Sequence, residues 1–379
     1  MIRTQIWLLA ILSAGGLFGP GWVAAQTTSQ TEPVRLPALE EEPPVWTFAP
    51  QAEETESVLL MDSEVILNER KPPPKDFGGM GGGGPFGGQG GPGYGSVWYP
   101  TKLVKGQDVD FQLIRQNASA ALPVWRGDKG IMLMSMNVGN SLFFTDAVLP
   151  DSQRPFPAEL WRVNLGLNYI HKFDNGSTLV VLTGLGSSSD KPFHSWEEMN
   201  FTLGTFWRRP ARNERDAWML GVMYSPSGSL NFPIPAIAYQ WNPSDSFQMS
   251  VGLPLSVTWH PFAWENWTVS FSYLPLTNGS LMVTHDFTER IHLYSGYQSI
   301  SDSYFLSDRE IERDRFYATE LRIVKGLRYD LGRNAVFDIC AGYAFDRKYG
   351  EGANQGASLH DNVDVQPGEF VEARIQLRF

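Results

Sequence analysis

Residues 96–379 predict an all-β chain that forms an antiparallel, up-and-down transmembrane β-barrel. Three observations predict this fold: side chains alternate between apolar and polar with a period of two, aromatic residues recur at the ends of the alternating runs, and the last run stops at Phe379. Because successive side chains of a strand point to opposite faces, such alternation places the two faces in different surroundings. The composition agrees, since 37 glycines and 13% aromatic residues favour strands and turns.

The alternation is clearest in four runs. Trp161–Tyr169, Phe247–Leu253 and Trp267–Tyr273 carry apolar side chains at odd positions and small or polar side chains between them. Aromatic residues at the ends of such runs are typical of the interfacial belt of membrane barrels. In the fourth run every second residue is apolar and every other one is polar: Val371, Ala373, Ile375, Leu377 and Phe379 alternate with Glu372, Arg374, Gln376 and Arg378.

The spacing of these runs predicts about fourteen strands, an even number, as bacterial barrels require. Long and short connections alternate, and Asn175-Gly176 is a strong signal for a tight turn. The spacing around 254–266 is irregular, so twelve or sixteen strands also fit, and residues 96–116 either add a strand or lie in the barrel mouth. The predicted strands span 129–138, 160–173, 177–186, 200–208, 216–225, 234–241, 246–253, 255–260, 267–274, 280–286, 290–298, 315–326, 335–346 and 369–379.

Two N-terminal segments are predicted to lie outside the barrel. Residues 1–25 have the pattern of a cleavable signal peptide: Arg3, an apolar run from Ile6, and the small residues Ala24 and Ala25 before the cleavage site. Residues 26–95 are acidic and rich in proline and then glycine. Such a composition buries too little apolar surface to offset the entropy of ordering, so we expect a disordered tether.

Charge and cysteine content exclude several classes of function. The net charge is −11 and no basic cluster is present, which argues against a nucleic-acid partner. The single cysteine, Cys340, excludes an intramolecular disulfide and a cysteine-based zinc site. Neither a Gly-x-Ser-x-Gly elbow nor a His-Glu-x-x-His pair occurs in the sequence. We therefore expect no enzyme, no cofactor and no resident metal.

The terminal run, Val371 to Phe379, resembles the closing strand of bacterial outer-membrane β-barrels, whose terminal Phe is read by the barrel-insertion machinery. Together with the signal peptide, this resemblance implies export to the outer membrane of a double-membraned bacterium. Membrane lipid and the insertion machinery are the partners that it implies. Residues from about 130 to 379 are also similar to an uncharacterised bacterial barrel family, a domain of unknown function, which implies no activity.

The polar face of the strands supplies the candidate functional residues. If this face points inward, its charges either neutralise one another in a filled interior or set a transverse field that selects small ions. A passive pore or a structural envelope protein is the expected function. The candidate lumen residues are Arg162, Asn164, Asn168, Glu320, Arg322, Asp338, Glu372, Arg374 and Arg378.

Two other classes of function remain open from the sequence. A barrel-type lipid hydrolase would need a nucleophile and base, and His285 beside Asp286, with His292, could approach Ser295. A secreted, soluble β-sandwich that binds a ligand would also alternate with a period of two. The segment 299–314 is acidic, but its spacing does not match a calcium loop, and we expect a solvated loop that repels anions. Its acidic residues are Asp302, Asp308, Glu310, Glu312 and Asp314.

Overall fold

The structure, a computed structural model, describes residues 92–378 apart from 214, 225–232, 254, 262–265, 275–277, 333 and 355–358. The predicted signal peptide, the predicted tether up to residue 91 and Phe379 lie outside the described residues. A short 3-10 turn, Trp196–Glu198, lies between two of the strands. The strands are β1 Gly93–Leu103, β2 Asp110–Arg126, β3 Gly130–Thr145, β4 Glu159–Lys172, β5 Thr178–Ser189, β6 Met199–Pro210, β7 Ala217–Tyr224, β8 Ile234–Ser244, β9 Phe247–Gly252, β10 Leu255–Trp259, β11 Trp267–Leu274, β12 Asn278–Asp286, β13 Ile291–Tyr304, β14 Arg315–Asp330, β15 Ala335–Gly352, β16 His360–Val365 and β17 Gly368–Leu377.

All of these strands belong to one antiparallel sheet that closes on itself. β1 pairs with β2 on one side and with β17 on the other, where Tyr94 lies opposite Ile375. β16 and β17 share one position in the ring, because β17 pairs with the first part of β15 and β16 with its last part. The ring therefore has sixteen positions and one extra strand. This corrects the prediction of about fourteen strands in favour of sixteen, a number that the spacing also fitted.

β1 and β2 are the two ring strands outside the fourteen predicted ones, in the region 96–116 that was expected to add a strand or to lie in the barrel mouth. Their inward side chains Tyr99, Phe111 and Leu113 are fully buried in the lumen. Both faces of these strands are therefore apolar in places, and the contrast that marks the other strands is lost. β1 begins at Gly93, so it includes the end of the segment that was predicted to be a tether.

The outer face of the barrel is apolar and exposed, as the alternation predicts. On β17, Val371, Ile375 and Leu377 are 40%, 42% and 39% exposed, and no described segment of the chain packs over them. The other strands contribute the same kind of side chain: Trp98, Met134, Met136, Leu165, Leu167, Leu185, Phe201, Leu203, Trp218, Leu220, Val222, Ile237, Val251, Leu281, Leu293, Ile323, Ile339 and Tyr343.

The two rims of the barrel differ. The rim that carries Gly93 and Leu377, here the terminal rim, is formed by short turns. One of them contains Asn175 and Gly176, where Gly176 has φ of 75° and closes the turn by an N–H bond to the Phe173 carbonyl. The opposite rim, here the loop rim, carries the longer segments 146–158, 190–198 and 305–314. The predicted alternation of long and short connections is confirmed in this part of the chain.

The height of the barrel wall changes around the ring. β2, β3, β14 and β15 contain 17, 16, 16 and 18 residues, whereas β9 and β10 contain 6 and 5. At about 3.4 Å per residue, β15 is about 60 Å long and β10 about 17 Å long. We call β13–β17 with β1–β5 the long side and β7–β12 the short side.

Candidate functional site in the barrel lumen

The structure gives a position to each predicted lumen residue. Arg162, Asn164, Asn168, Glu320, Arg322, Asp338, Glu372 and Arg374 lie on the inner face, opposite the exposed apolar side chains. Arg378 follows β17 at the terminal rim, where its Nη1 is 3.6 Å from Asp330 Oδ1. Asn168 donates to Ser135 Oγ across 3.3 Å. The charged members of this set all lie on the long side.

Glu320 is the centre of a buried ionic cluster on the long side. Its Oε1 accepts hydrogen bonds from Arg115 Nη1 at 3.0 Å, Arg322 Nη2 at 2.5 Å and the Tyr99 hydroxyl at 2.6 Å. Arg347 Nε lies 3.8 Å from Oε2, and its guanidinium stacks over the Tyr99 ring at 4.7 Å. Glu320 is only 2% exposed. A carboxylate this deep is tolerable because several cations and a hydroxyl replace its water.

Two further carboxylates extend this cluster. Asp302 Oδ1 accepts from Arg162 Nη2 at 2.9 Å, which joins β13 to β4. Glu372 pairs with Arg374 and lies 3.8 Å from Arg322 Nη1. The cluster thus holds more guanidinium groups than carboxylates. Its members are Arg115, Arg162, Arg322, Arg347 and Arg374 with Asp302, Glu320 and Glu372.

Several cluster members escaped the sequence analysis. Tyr99 and Arg115 lie on β1 and β2, in the region 96–116 whose place in the barrel the sequence left open. Asp302 was assigned to a solvated acidic loop, but it is part of β13 and faces the lumen, which corrects that assignment. Arg347 lies beyond the predicted end of its strand. Asp302 and Tyr304 continue the even-numbered inner face of β13, and this alternation could have extended the predicted strand. The acidic residues that follow made the whole segment resemble a solvated loop.

A loop segment with buried apolar side chains fills the lumen at the loop rim of the long side. The segment 146–158 folds inward and brings Leu149 and Phe156 into the lumen, both 5% exposed or less. Phe156 lies edge-on to four aromatic rings at centroid distances of 5.2 to 5.5 Å. We call the segment 146–158 and the rings around it the plug. Those rings are Phe111, Phe143, Phe316 and Tyr349.

Arg154 fastens the plug to the wall. Its Nη2 is 2.5 Å from Glu351 Oε1 and 3.5 Å from Asp361 Oδ2, and its Nη1 is 3.1 Å from Asp308 Oδ1. Burial opposes the charge of Arg154, but the carboxylate of Glu351, with Asp308 and Asp361, raises the pKa of Arg154 above its ordinary value. The guanidinium therefore stays charged across the physiological pH range.

The carboxylates around Arg154 belong to a group of side chains of the types that bind metal ions. Donor atoms of Glu351, His360 and Asp361 lie within 4.8 Å of one another. However, the Arg154 guanidinium contacts both carboxylates, and His360 Nε2 is 2.6 Å from Asp314 Oδ2. The cation that these carboxylates require is already supplied by the chain, so we assign them a structural role.

A second connection crosses the barrel at the loop rim. Ser189 at the end of β5 forms a parallel bridge with Phe305, which follows β13. The Phe305 N–H donates to the Ser188 carbonyl at 2.8 Å, and Asp190 accepts from the backbone and hydroxyl of Ser307 at 2.7 Å each. β5 and β13 are eight positions apart in the ring of sixteen. The barrel is therefore pinched, and the nine ring positions of the long side, one of them shared by β16 and β17, close on themselves near the loop rim.

The inner face of the short side has a different chemistry. Ser250, Ser256, Ser272 and Ser280 lie side by side in one row across β9–β12. The Oγ atoms of Ser272 and Ser280 are 2.9 Å apart. The next row toward the terminal rim contains Gln248, Thr258 and Ser270. We call these seven residues the hydroxyl wall. β9, β10 and β11 contain no charged residue.

The residues suggested for a hydrolase do not assemble. His285 faces outward, stacked on Trp267 at 4.6 Å, whereas His292 faces inward and lies 2.6 Å from Asp286 Oδ1. Ser295 lies on the outer face and donates to the Val324 carbonyl at 3.1 Å. The sheet separates Ser295 from His292 and Asp286. His285 is a diagonal neighbour of Ser295 on the outer face, but the Ser295 hydroxyl donates its proton to a backbone carbonyl, so the suggested nucleophile, base and acid are not brought together.

In the described part of the chain, no helix is long and apolar enough to span a bilayer. No family model and no curated protein matches the chain, so the resemblance to an uncharacterised family stays a prediction.

Solved structures of bacterial outer-membrane barrels are similar at low identity. An outer membrane channel from Pseudomonas putida F1 is 9% identical, covers 80% of this chain and 99% of its own, and has a TM-score of 0.32. The β domain of the Bordetella autotransporter BrkA is 10% identical, with 76% and 100% covered and a TM-score of 0.29. Outer membrane phospholipase A from Escherichia coli is 13% identical, with 76% and 92% covered and a TM-score of 0.28.

Proposed function

We propose that this chain is a passive channel for small solutes in the outer membrane of a double-membraned bacterium. The closed sheet supports this proposal, because a barrel without free strand edges satisfies every strand in lipid. The exposed apolar outer face supports it too. In water, such a face would have to be covered by a second protein layer, as in a β-sandwich. The outer face is therefore expected to contact membrane lipid.

One observation carries the pore function: the closed barrel has an inner wall that is polar and reaches solvent. Ser270, in the middle of β11, points inward and is partly exposed, and Ser272 and Gln248 nearer the two rims point inward and are exposed. A barrel filled over its whole cross-section would bury these side chains. A passive structural protein of the envelope, the other expected role, needs no such wall.

Biogenesis belongs to the same proposal. The exposed alternating side chains of β17 are expected to be read by the barrel-insertion machinery, together with Phe379. This role rests on the resemblance of the terminal run and on the predicted signal peptide.

Planar lipid bilayers test the channel directly. Protein refolded in detergent and added to a bilayer in potassium chloride is expected to give discrete, uniform conductance steps. The same amount of boiled protein is the control and is expected to give none. If folded protein inserts, as shown by flotation with liposomes, but no steps appear, the channel function is wrong and the structural role is preferred.

A further inference from the structure

We infer that solutes cross this barrel along the hydroxyl wall and leave it beside the plug, and that the path suits small uncharged polar solutes. This inference rests on the proposed channel function and adds its route and its solute class. It is carried by three properties of the described residues: packing on the long side, the bridge at the loop rim, and the chemistry of the short side.

Toward the loop rim, the long side offers no room for a solute. Tyr99, Phe111, Leu113 and Phe370 point into the lumen and are 0% exposed. Glu320, Arg322 and Arg347 of the ionic cluster lie on the same side and are 4% exposed or less. Interiors of this kind are packed as densely as organic crystals, so a path here would need the plug to leave.

The bridge between Ser189 and Phe305 determines where the path ends at the loop rim. The last β13 residue that pairs with β12 is Ser299, opposite Gly279, whereas the bridge is made by Phe305. The bridge therefore lies beyond the rim of the hydroxyl wall. β5 pairs with β6 only as far as Ser187, opposite Met199. Phe305 therefore bridges to the part of β5 that extends beyond β6 at the loop rim. The bridge joins β5 to β13 and so closes the long side into a smaller ring that excludes the short side. A solute at the hydroxyl wall lies outside this smaller ring and passes beside it.

The hydroxyl wall matches uncharged, hydrogen-bonding solutes. Ser256, Thr258 and Ser270 are partly exposed, and Ser272 is exposed. Each hydroxyl both donates and accepts, so the wall can replace the water around a solute that carries hydroxyl groups. The charged groups of the ionic cluster lie on the long side and are paired with one another, whereas β9, β10 and β11 contain none. A solute moving along the hydroxyl wall therefore meets neutral side chains.

Thiol modification tests the route. Cys340 is a buried free cysteine, so the variants are made in a Cys340→Ala background. Ser272→Cys tests the hydroxyl wall, and Ala318→Cys, or Ala344→Cys if that variant does not fold, tests the long side. Leu281→Cys, on the outer face next to the same row, is the matched control. The reagent is a membrane-impermeant methanethiosulfonate that adds a trimethylammonium group, and folding is checked by the gel shift on boiling.

Modified Ser272→Cys is expected to lose conductance by roughly twofold or more, because a bulky cation then narrows the path and repels potassium. Ala318→Cys and Leu281→Cys are expected to keep their conductance. A channel that conducts but responds only at Ala318→Cys, or at neither position, overturns the route. A wild-type protein that never conducts overturns the channel function itself, and the route with it.

Liposome swelling tests the solute class. Proteoliposomes are expected to swell in glucose roughly threefold faster than in gluconate, which has a similar size and a negative charge. Ser272→Val with Ser280→Val is expected to slow swelling in glucose by roughly twofold, and Leu281→Val should have no effect. Faster swelling in gluconate would contradict the neutral path and indicate that the excess arginines of the ionic cluster attract the solute.

Discussion

Glu320 shows how single side chains determine the interior of this barrel. Its carboxylate is surrounded by three arginines and a tyrosine hydroxyl, and none of these groups reaches solvent freely. Such a cluster gains little over an apolar interior, since desolvation offsets most of the attraction. Removing one member, in contrast, lowers the stability of the fold, because its partners remain buried and charged. At the residue scale, therefore, the cluster works as a unit.

The first prediction concerns this unit. Glu320→Gln keeps the shape of the side chain and removes its charge, so Arg115, Arg322 and Arg347 lose their common counter-ion. We expect the free energy of unfolding to fall by about 3–5 kcal/mol. Urea unfolding in detergent, followed by tryptophan fluorescence, measures the change.

The matched control is Glu369→Gln. Glu369 pairs with Lys102 at 2.9 Å, but its side chain is 58% exposed. A surface pair of this kind contributes about 0–1 kcal/mol, so the control should unfold almost like the wild type. Equal losses in the two variants would mean that the Glu320 cluster is not the buried unit described here.

At the scale of elements, the segment 146–158 is the part of the chain that blocks the long side. Hydrogen bonds hold it at several points: Asp151 and Ser152 both donate their N–H groups to Asp361 Oδ1, at 2.7 and 2.8 Å. Arg154 adds the charged contact to Glu351. The aromatic ring of Phe156 lies in the lumen and packs against the rings of the plug. The segment is thus fixed by polar contacts at its tip and by packing at its base.

The second prediction tests the polar contact. Arg154→Met keeps most of the side-chain volume and leaves the buried Glu351 carboxylate without its cation. Because each 1.4 kcal/mol lost multiplies the population of the open segment tenfold, we expect cleavage within 146–158 to be about tenfold faster or more. Limited digestion with proteinase K, read by mass spectrometry, measures it. Lys348→Met removes an exposed pair with Asp346 and should leave the rate unchanged.

At the scale of the whole molecule, closure is the property that distinguishes this chain from a soluble sandwich. Pairing of β1 with β17 leaves no free edge in the ring, and the outer face is apolar over nearly every strand. The bridge between Ser189 and Phe305 adds a second, smaller closure at the loop rim. The molecule thus combines a ring of sixteen near the terminal rim with a ring of nine near the loop rim.

Closure gives the third prediction. A closed barrel resists unfolding by detergent, because no strand can fray from an edge. We expect the folded protein to migrate as a compact band in a gel before boiling and as a slower, full-length band after it. A single band at one position under both conditions would argue for an open sheet, and recovery of native protein without detergent would argue for the soluble alternative.

The amino-acid sequence by itself determined the class of fold and the direction of most side chains. In β4, the contrast between Leu165 and Asn164 suffices to assign the two faces, because a strand side chain points opposite to its neighbour whatever the rest of the chain does. The same local argument placed Glu320, Arg322, Glu372 and Arg374 on the polar face.

The tertiary structure alone decided the number of strands, the plug, the bridge and the partners of each charge. β1 and β2 pack apolar side chains on their inner face as well, and this follows from the plug that covers them. Arg162 meets Asp302 across 140 residues of sequence. Both features arise when the sheet closes and brings distant segments into one lumen. A local period of two reports only whether the two faces of a strand differ, and it carries no information about what lies opposite the inner face.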